Sequence, residues 1–262
     1  CQPARASFWS GIYPHETKVI SNGRKFPVND LPHTIPTLGS VFQENGYETV
    51  HFGKKHDAGA LRGFRCDEPL QVIVPEISDA WPHNIDTFRD RYTAERSVEW
   101  LENYNGEKPY IMIADLVNPH NICGFIGKFA GENEGVDPGV SLPPLPDNFE
   151  FEDIKNRPVA VQYICCSHNR QAQVSQWTPR NFQYYLAAYY YYLEMVDAEI
   201  GRILDALEKR SDAENTLIVF MADHGDSMAA RHRVTKQVDF YEEVTRVPFF
   251  FSGKGVVPRR IE

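Results

Sequence analysis

A chain of 262 residues is long enough to bury a substantial core within one α/β domain. Its 27 Lys and Arg against 36 Asp and Glu give a net charge of −9, which argues against a general nucleic-acid binder, since that function needs a basic face. No apolar run reaches the roughly 18 residues of a membrane-spanning helix, and no signal peptide is in view.

In chain order, Cys1 stands at the mouth of a short helix, with Pro3 in the first turn and Gly11 placed to end it. Backbone N–H donors and the helix dipole favour anions at such a mouth. Pro36 to Asn45 reads as a helix with Gly46 at its cap, and Tyr47 to Phe52 as a strand running into Gly53-Lys54-Lys55-His56. Asp86 can cap a helix from Thr87 to about Tyr104. The strand Tyr110 to Val117 then leads into Asn118-Pro119-His120. Glycines and prolines crowd the stretch from Gly124 to Pro158, and residues 122–180 as a whole read as a loop-rich insertion that shapes a substrate pocket. Thr178-Pro179 opens a long helix with an apolar stripe through Leu186, Tyr189, Leu193, Val196, Ile200, Ile203 and Leu207. Thr216 to Ala222 forms an apolar strand ending in Asp223-His224-Gly225-Asp226.

The alternation of helices and strands predicts a mixed, mostly parallel central sheet sandwiched by helices, in one catalytic domain over residues 1–262. Three strands each end in ionisable residues, Lys54 with His56, His120, and Asp223 with His224, where open α/β sheets place their ligand crevice. The five cysteines form no metal-ligand spacing. Cys66, Cys123, Cys165 and Cys166 read as buried thiols, with a Cys66 to Cys123 bridge as the alternative. His15, His33, His51, His83 and His168 read as ordinary polar or core histidines, and Asp226 as a loop carboxylate.

Cys1-Gln2-Pro3-Ala4-Arg5 resembles the signature of type I, formylglycine-dependent sulfatases of the alkaline phosphatase-like superfamily. The run Ala6 to His15, Gly53-Lys54, Pro119-His120, Asp223-His224-Gly225 and Lys236 also look like that family, with the region from about Ile122 to Arg180 unplaced. The resemblance implies hydrolysis of a sulfate monoester, most plausibly on a carbohydrate, by the hydrate of a formylglycine made from Cys1. It gives Arg5 the part of steadying that hydrate and the metal site, Lys54 and Lys236 that of clamping sulfate, His56 that of taking a proton from the second hydroxyl, and His120 that of the acid for the leaving oxygen. Asp223, His224 and the residue 1 side chain would hold Ca2+ (or Mg2+), and His232 would touch sulfate or sugar. Gly-Lys-Lys-His-Asp-Ala-Gly stands where Gly-Lys-Trp-His-Leu-Gly is commoner, a change that spares Lys54 and His56.

The resemblance also implies a maturation enzyme that generates formylglycine, a sulfated small molecule or glycan as partner, and an extracytoplasmic setting, periplasmic, secreted or lysosomal. Calcium wants about six to eight oxygen ligands, more than this set offers. The family's paired aspartates on a strand before the cysteine, and its smaller C-terminal sheet domain, have no counterpart in this sequence, so a fragment of a longer protein is expected. Two other readings stay open: a phosphate or phosphonate ester hydrolase on the same scaffold, and a catalytically silent binder of sulfated glycans.

Overall fold

The structure is a computed structural model that describes residues 1–22, 30–67, 88–129, 141–151, 153–167, 169–236 and 240–260. Helix α1 spans Gln2–Ser10, with Cys1 as its N-cap residue and Gly11 in the left-handed region closing it onto the Ser7 carbonyl. A short α2, Pro14–Thr17, follows. Helix α3 covers Leu38–Glu44, narrower than the expected span because Thr37 is the cap: its hydroxyl accepts from the Ser40 N–H while the Ser40 hydroxyl accepts from the Thr37 N–H.

Strand β1, Glu48–Gly53, is buried along its middle, and a two-residue β2, Arg65–Cys66, pairs parallel to one side of it. Helix α4 runs over Phe88–Asn103; the expected cap Asp86 and first residue Thr87 lie outside the described residues. Strand β3, Tyr110–Asp115, pairs parallel to the other side of β1 in a register that runs from Glu48 opposite Tyr110 to Gly53 opposite Asp115. It ends two residues before the expected Val117 because the Asp90 carboxylate takes the N–H groups of Val117 and Asn118, which draws the chain off the ladder.

The described residues of the next segment hold more helix than its glycines and prolines suggest. Helix α5 spans Ile122–Phe129, with Ile122, Phe125 and Ile126 buried at helical spacing, so apolar packing overrides Gly124. Helices α6, Val159–Ser167, and α7, Asn169–Gln173, occupy the later part. The 30-residue α8, Pro179–Glu208, starts at Thr178, whose hydroxyl exchanges cap hydrogen bonds with Asn181. The expected stripe is buried at Leu186, Val196 and Ile203, Leu193 alone of it being exposed, at 37 %, and the enclosed face is wider than the stripe, taking in Tyr185, Ala188 and Tyr192. The helix is clasped on two faces, its first half packing with Phe125, Phe149 and Val234, its second half with Ala94 and Leu101 of α4.

Strand β4, Ile218–Met221, and the later β5, Phe249–Ser252, form an antiparallel pair, with the short α9, Glu242–Thr245, between them in sequence. Among the described residues the strands therefore make two ladders, β2-β1-β3 and β4-β5, and the sheet content is mixed and mostly parallel, as in an α/β fold. A third apolar cluster, Ala6, Trp9, Leu31, Leu61 and Phe64, packs α1 against the β1–β3 sheet through Ile111 and Ile113. Cys66 and Cys123 are free and only half-buried, so the alternative of a bridge between them does not hold. The side chains of Cys165 and Cys166 lie outside the described residues. Among the described residues no helix is long and apolar enough to cross a membrane.

Candidate active site

Parallel pairing brings the carboxyl ends of β1 and β3 side by side at Gly53 and Asp115, and the mouth of α1 opens over them. Lys54 leaves β1 there, its backbone N–H donating to the Asp115 carbonyl at 2.9 Å and its ammonium lying 4.0 Å from the Cys1 thiol. The residues after β4 reach the same point: His224 Nε2 is 3.3 Å from Cys1 Sγ, and Asp223 Oδ2 is 3.8 Å from Arg5 Nη1. Asn22 steadies the mouth of α1 by accepting from the Gln2 N–H at 3.0 Å.

The ligand chemistry is legible in hydrogen bonds. The Gly225 carbonyl can only accept, so His224 carries its proton on Nδ1, 2.8 Å away, and Nε2 is left with a lone pair. Burial, only partly offset by Asp223, pushes His224 below its ordinary pKa and keeps it neutral. That lone pair faces Asp223 Oδ1 at 3.6 Å, an acceptor against an acceptor, and Asp223 Oδ2 is buried with no hydrogen bond of its own. Cys1, Asp223 and His224 present ligand atoms within 4.8 Å of one another. A divalent cation relieves such a cluster, and a histidine anchored through its other nitrogen to a backbone carbonyl is how proteins orient metal ligands. The donor set fits a cation, short of the number calcium takes.

The centre is electropositive. Burial, with Arg5 and Lys236 adding to it, lowers Lys54 to about 8 against the opposing pull of Asp223. Burial, with the Cys1 amino group, Lys54 and Arg5 adding to it, lowers His56 to about 4, so His56 is a neutral ring able to take a proton. Asp223 is raised by burial, but the charges of Lys54 and Arg5 act against that, and it lies below the usual carboxylate range.

Cys1, Arg5, Lys54, Asp223 and His224 thus converge, and His56 and Lys236 are close enough to act on them electrostatically. His120 is half-buried in the turn that joins β3 to α5, after a cis Asn118-Pro119 bond. His232 lies 3.2 Å from Glu150 and stacks on Phe149 at 4.0 Å, with its side chain half exposed. Asp226 is buried and accepts from the Tyr185 hydroxyl, which ties it to α8 and takes it out of the ligand set.

Sequence reasoning passed over Asp115. It accepts both terminal nitrogens of the Arg5 guanidinium, and His51 Nε2 reaches its Oδ2 at 3.2 Å. Its one signal is a carboxylate closing an otherwise apolar strand, which mattered only once the register with Gly53 was known. His51 is fully buried, as a core histidine should be.

A sulfatase family model matches residues 1–262. A delta 4,5-hexuronate-2-O-sulfatase of Bacteroides thetaiotaomicron is 50 % identical over 256 residues, covering 97 % of this chain and 52 % of that protein. A solved 2-O GAG sulfatase superposes with a TM-score of 0.89 at 49 % identity, over 97 % of this chain and 54 % of that one. The phosphonate monoester hydrolase of Agrobacterium radiobacter shares the fold, with a TM-score of 0.68 at 18 % identity over 97 % of this chain and 58 % of that one. The chain spans about half the length of the relatives it matches. Matched over its whole length, with a thiol, a lysine and an Asp-His pair gathered at the mouth of α1, this chain belongs to the sulfatase family.

Proposed function

We propose that the protein hydrolyses a sulfate monoester on a carbohydrate, and that its substrate carries a 2-O-sulfated hexuronate, the class named for its 50 % identical relative. The observation that carries the reading is the convergence of Cys1, Lys54, Asp223 and His224 within a few ångströms at the mouth of α1.

Cys1 Sγ stands where an oxygen of the formylglycine hydrate would lie. The hydrate, when present, supplies one hydroxyl to attack sulfur and a second whose deprotonation expels sulfate and restores the aldehyde. A divalent cation, calcium or magnesium, when bound to Asp223, His224 and residue 1, supplies charge for the sulfate oxygens. Lys54 and Lys236 hold the non-bridging oxygens as charge builds on them. His56, neutral through burial, takes the proton of the second hydroxyl, and His120 gives one to the departing alcohol oxygen. Arg5, beside Asp223 and under residue 1, steadies both. Residues 122–180, which include α5 to α7, shape the sugar pocket above.

This reading implies a formylglycine-generating maturation enzyme as partner and a setting outside the cytoplasm. It is tested with the full-length protein co-expressed with such an enzyme: mass spectrometry confirms the aldehyde at residue 1, and sulfate release is followed on an unsaturated 2-O-sulfated disaccharide, an aryl sulfate and a matched aryl phosphate. Release from the sulfates is expected. Aldehyde without release from any sulfate ester rejects the proposal.

A further inference from the structure

We propose that Asp115 is a positioning residue of this centre, one that occupies the fork of Arg5 so that Asp223 stays uncommitted for the cation and residue 1. The proposal rests on the sulfatase reading for its catalytic consequence, but its geometry does not.

Arg5, with its side chain 7 % exposed, has two carboxylates within reach. The two are not used alike. Asp115 receives both terminal nitrogens, in the planar fork that guanidinium and carboxylate make best, while Asp223 Oδ2 stands off at 3.8 Å with no hydrogen bond. The same Arg5 Nη2 also donates to the Lys54 carbonyl at 3.2 Å, so one cation braces the backbone of the lysine that faces Cys1. Asp115 is itself fixed from two sides. Its backbone carbonyl accepts from the Lys54 N–H, and its Oδ2 accepts from His51 Nε2 at 3.2 Å. Burial, with Arg5 and Lys55 adding to it, lowers His51 to about 3, so this ring is neutral and its bond to Asp115 is that of an N–H donor.

Removal of the Asp115 charge changes the balance. Arg5 is enclosed near Lys54, and a buried guanidinium without its carboxylate seeks the next one. Asp223 is that one. Arg5 would close on it, occupying the oxygen that the cation needs and drawing the guanidinium away from the Lys54 carbonyl. Asp115 and His51 therefore act behind the reacting atoms, through Arg5, and touch neither substrate nor cation.

The test compares matured full-length wild type and Asp115→Asn, which keeps the shape but loses the charge. Calorimetric titration with calcium chloride should show cation affinity weakened by about 10- to 100-fold, and kcat on the 2-O-sulfated disaccharide should fall by a similar factor with KM little changed. Wild-type cation affinity in a folded Asp115→Asn protein overturns the proposal, whatever the change in melting temperature. Should Asp115→Asn not fold, His51→Leu and His51→Gln carry the test. Leu removes the donor to Asp115 and should weaken cation binding, while Gln keeps an N–H and should recover most of it; equal affinities in the two variants overturn the proposal. If the matured wild type releases no sulfate from any ester, the sulfatase reading falls, and the calcium titration still decides the role of Asp115.

Discussion

Cys1 Sγ and His224 Nε2 lie 3.3 Å apart although 223 positions separate them in the chain. The contact joins the N-cap of α1 to the residues that follow β4, two segments that belong to different ladders. Only packing brings them together, and the chemistry of the site depends on that meeting.

Lys54 places a half-buried ammonium 4.0 Å from Cys1, and in the proposed reaction sulfate oxygens gain charge as the ester bond breaks. Lys54→Ala should lower kcat by a factor on the order of 10² to 10³, the usual effect of deleting a preorganised charge-stabilising group. Sulfate release by matured wild type and variant, with equal aldehyde content at residue 1, measures it. An unchanged rate removes Lys54 from the site.

His51 links pH to stability. Its folded pKa of about 3 lies below the ordinary 6.5, so between those values the unfolded chain binds the extra proton. Stability is therefore fully present above about 6.5 and declines as pH falls toward 3, by about 2 kcal/mol over the first one and a half pH units. Urea unfolding near pH 7 and near pH 5 should show that decline in wild type and a smaller one in His51→Gln, whose amide does not titrate. Parallel pH profiles for the two proteins contradict this assignment.

Gly53 has φ +99°, and a Cβ there would fall on the Asp115 carbonyl oxygen and within 2.9 Å of the Thr93 side chain. Gly53→Ala should destabilise the fold by about 1 to 3 kcal/mol, the range for overpacking and a strained backbone. It should also lower turnover, because Lys54 follows directly and donates to that same carbonyl. Thermal melts and sulfate release per folded molecule read the two effects separately.

Thr178 closes the first turn of α8 with Asn181, far from the reacting groups in role. Thr178→Ala should cost about 1 kcal/mol in urea unfolding and leave sulfate release per folded molecule as it was. A variant as stable as wild type would show that packing of Phe182 and Tyr185 alone sets the helix start.

Much of this was legible before folding. The helix after Cys1 was marked by Pro3 and Gly11, the strands by apolar runs, and α8 by Thr178-Pro179, because these signals are local and act within a turn or two. The motifs at Cys1 to Arg5, Lys54 and Asp223-His224 were legible for the same reason. Other features were not. Leu193 belongs to a good helical stripe yet faces solvent, since two different neighbours clasp α8. The stacking of His232 on Phe149 left no trace in its stretch of sequence. Gly124 marked a loop, but Ile122, Phe125 and Ile126 found a core to fill and made a helix.

The sequence by itself determined the chemical inventory: a thiol at a helix mouth, lysines and histidines after strands, an Asp-His pair, and a net charge of −9. Tertiary structure alone decided how two like carboxylates are partnered. Asp115 and Asp223 are alike in chemistry and 108 positions apart, and strand register sets one in the Arg5 fork while Oδ2 of the other is buried without a hydrogen bond. Local sequence signals reach a few residues; the division of charge among buried groups depends on distances that exist only once the sheet and helices have packed.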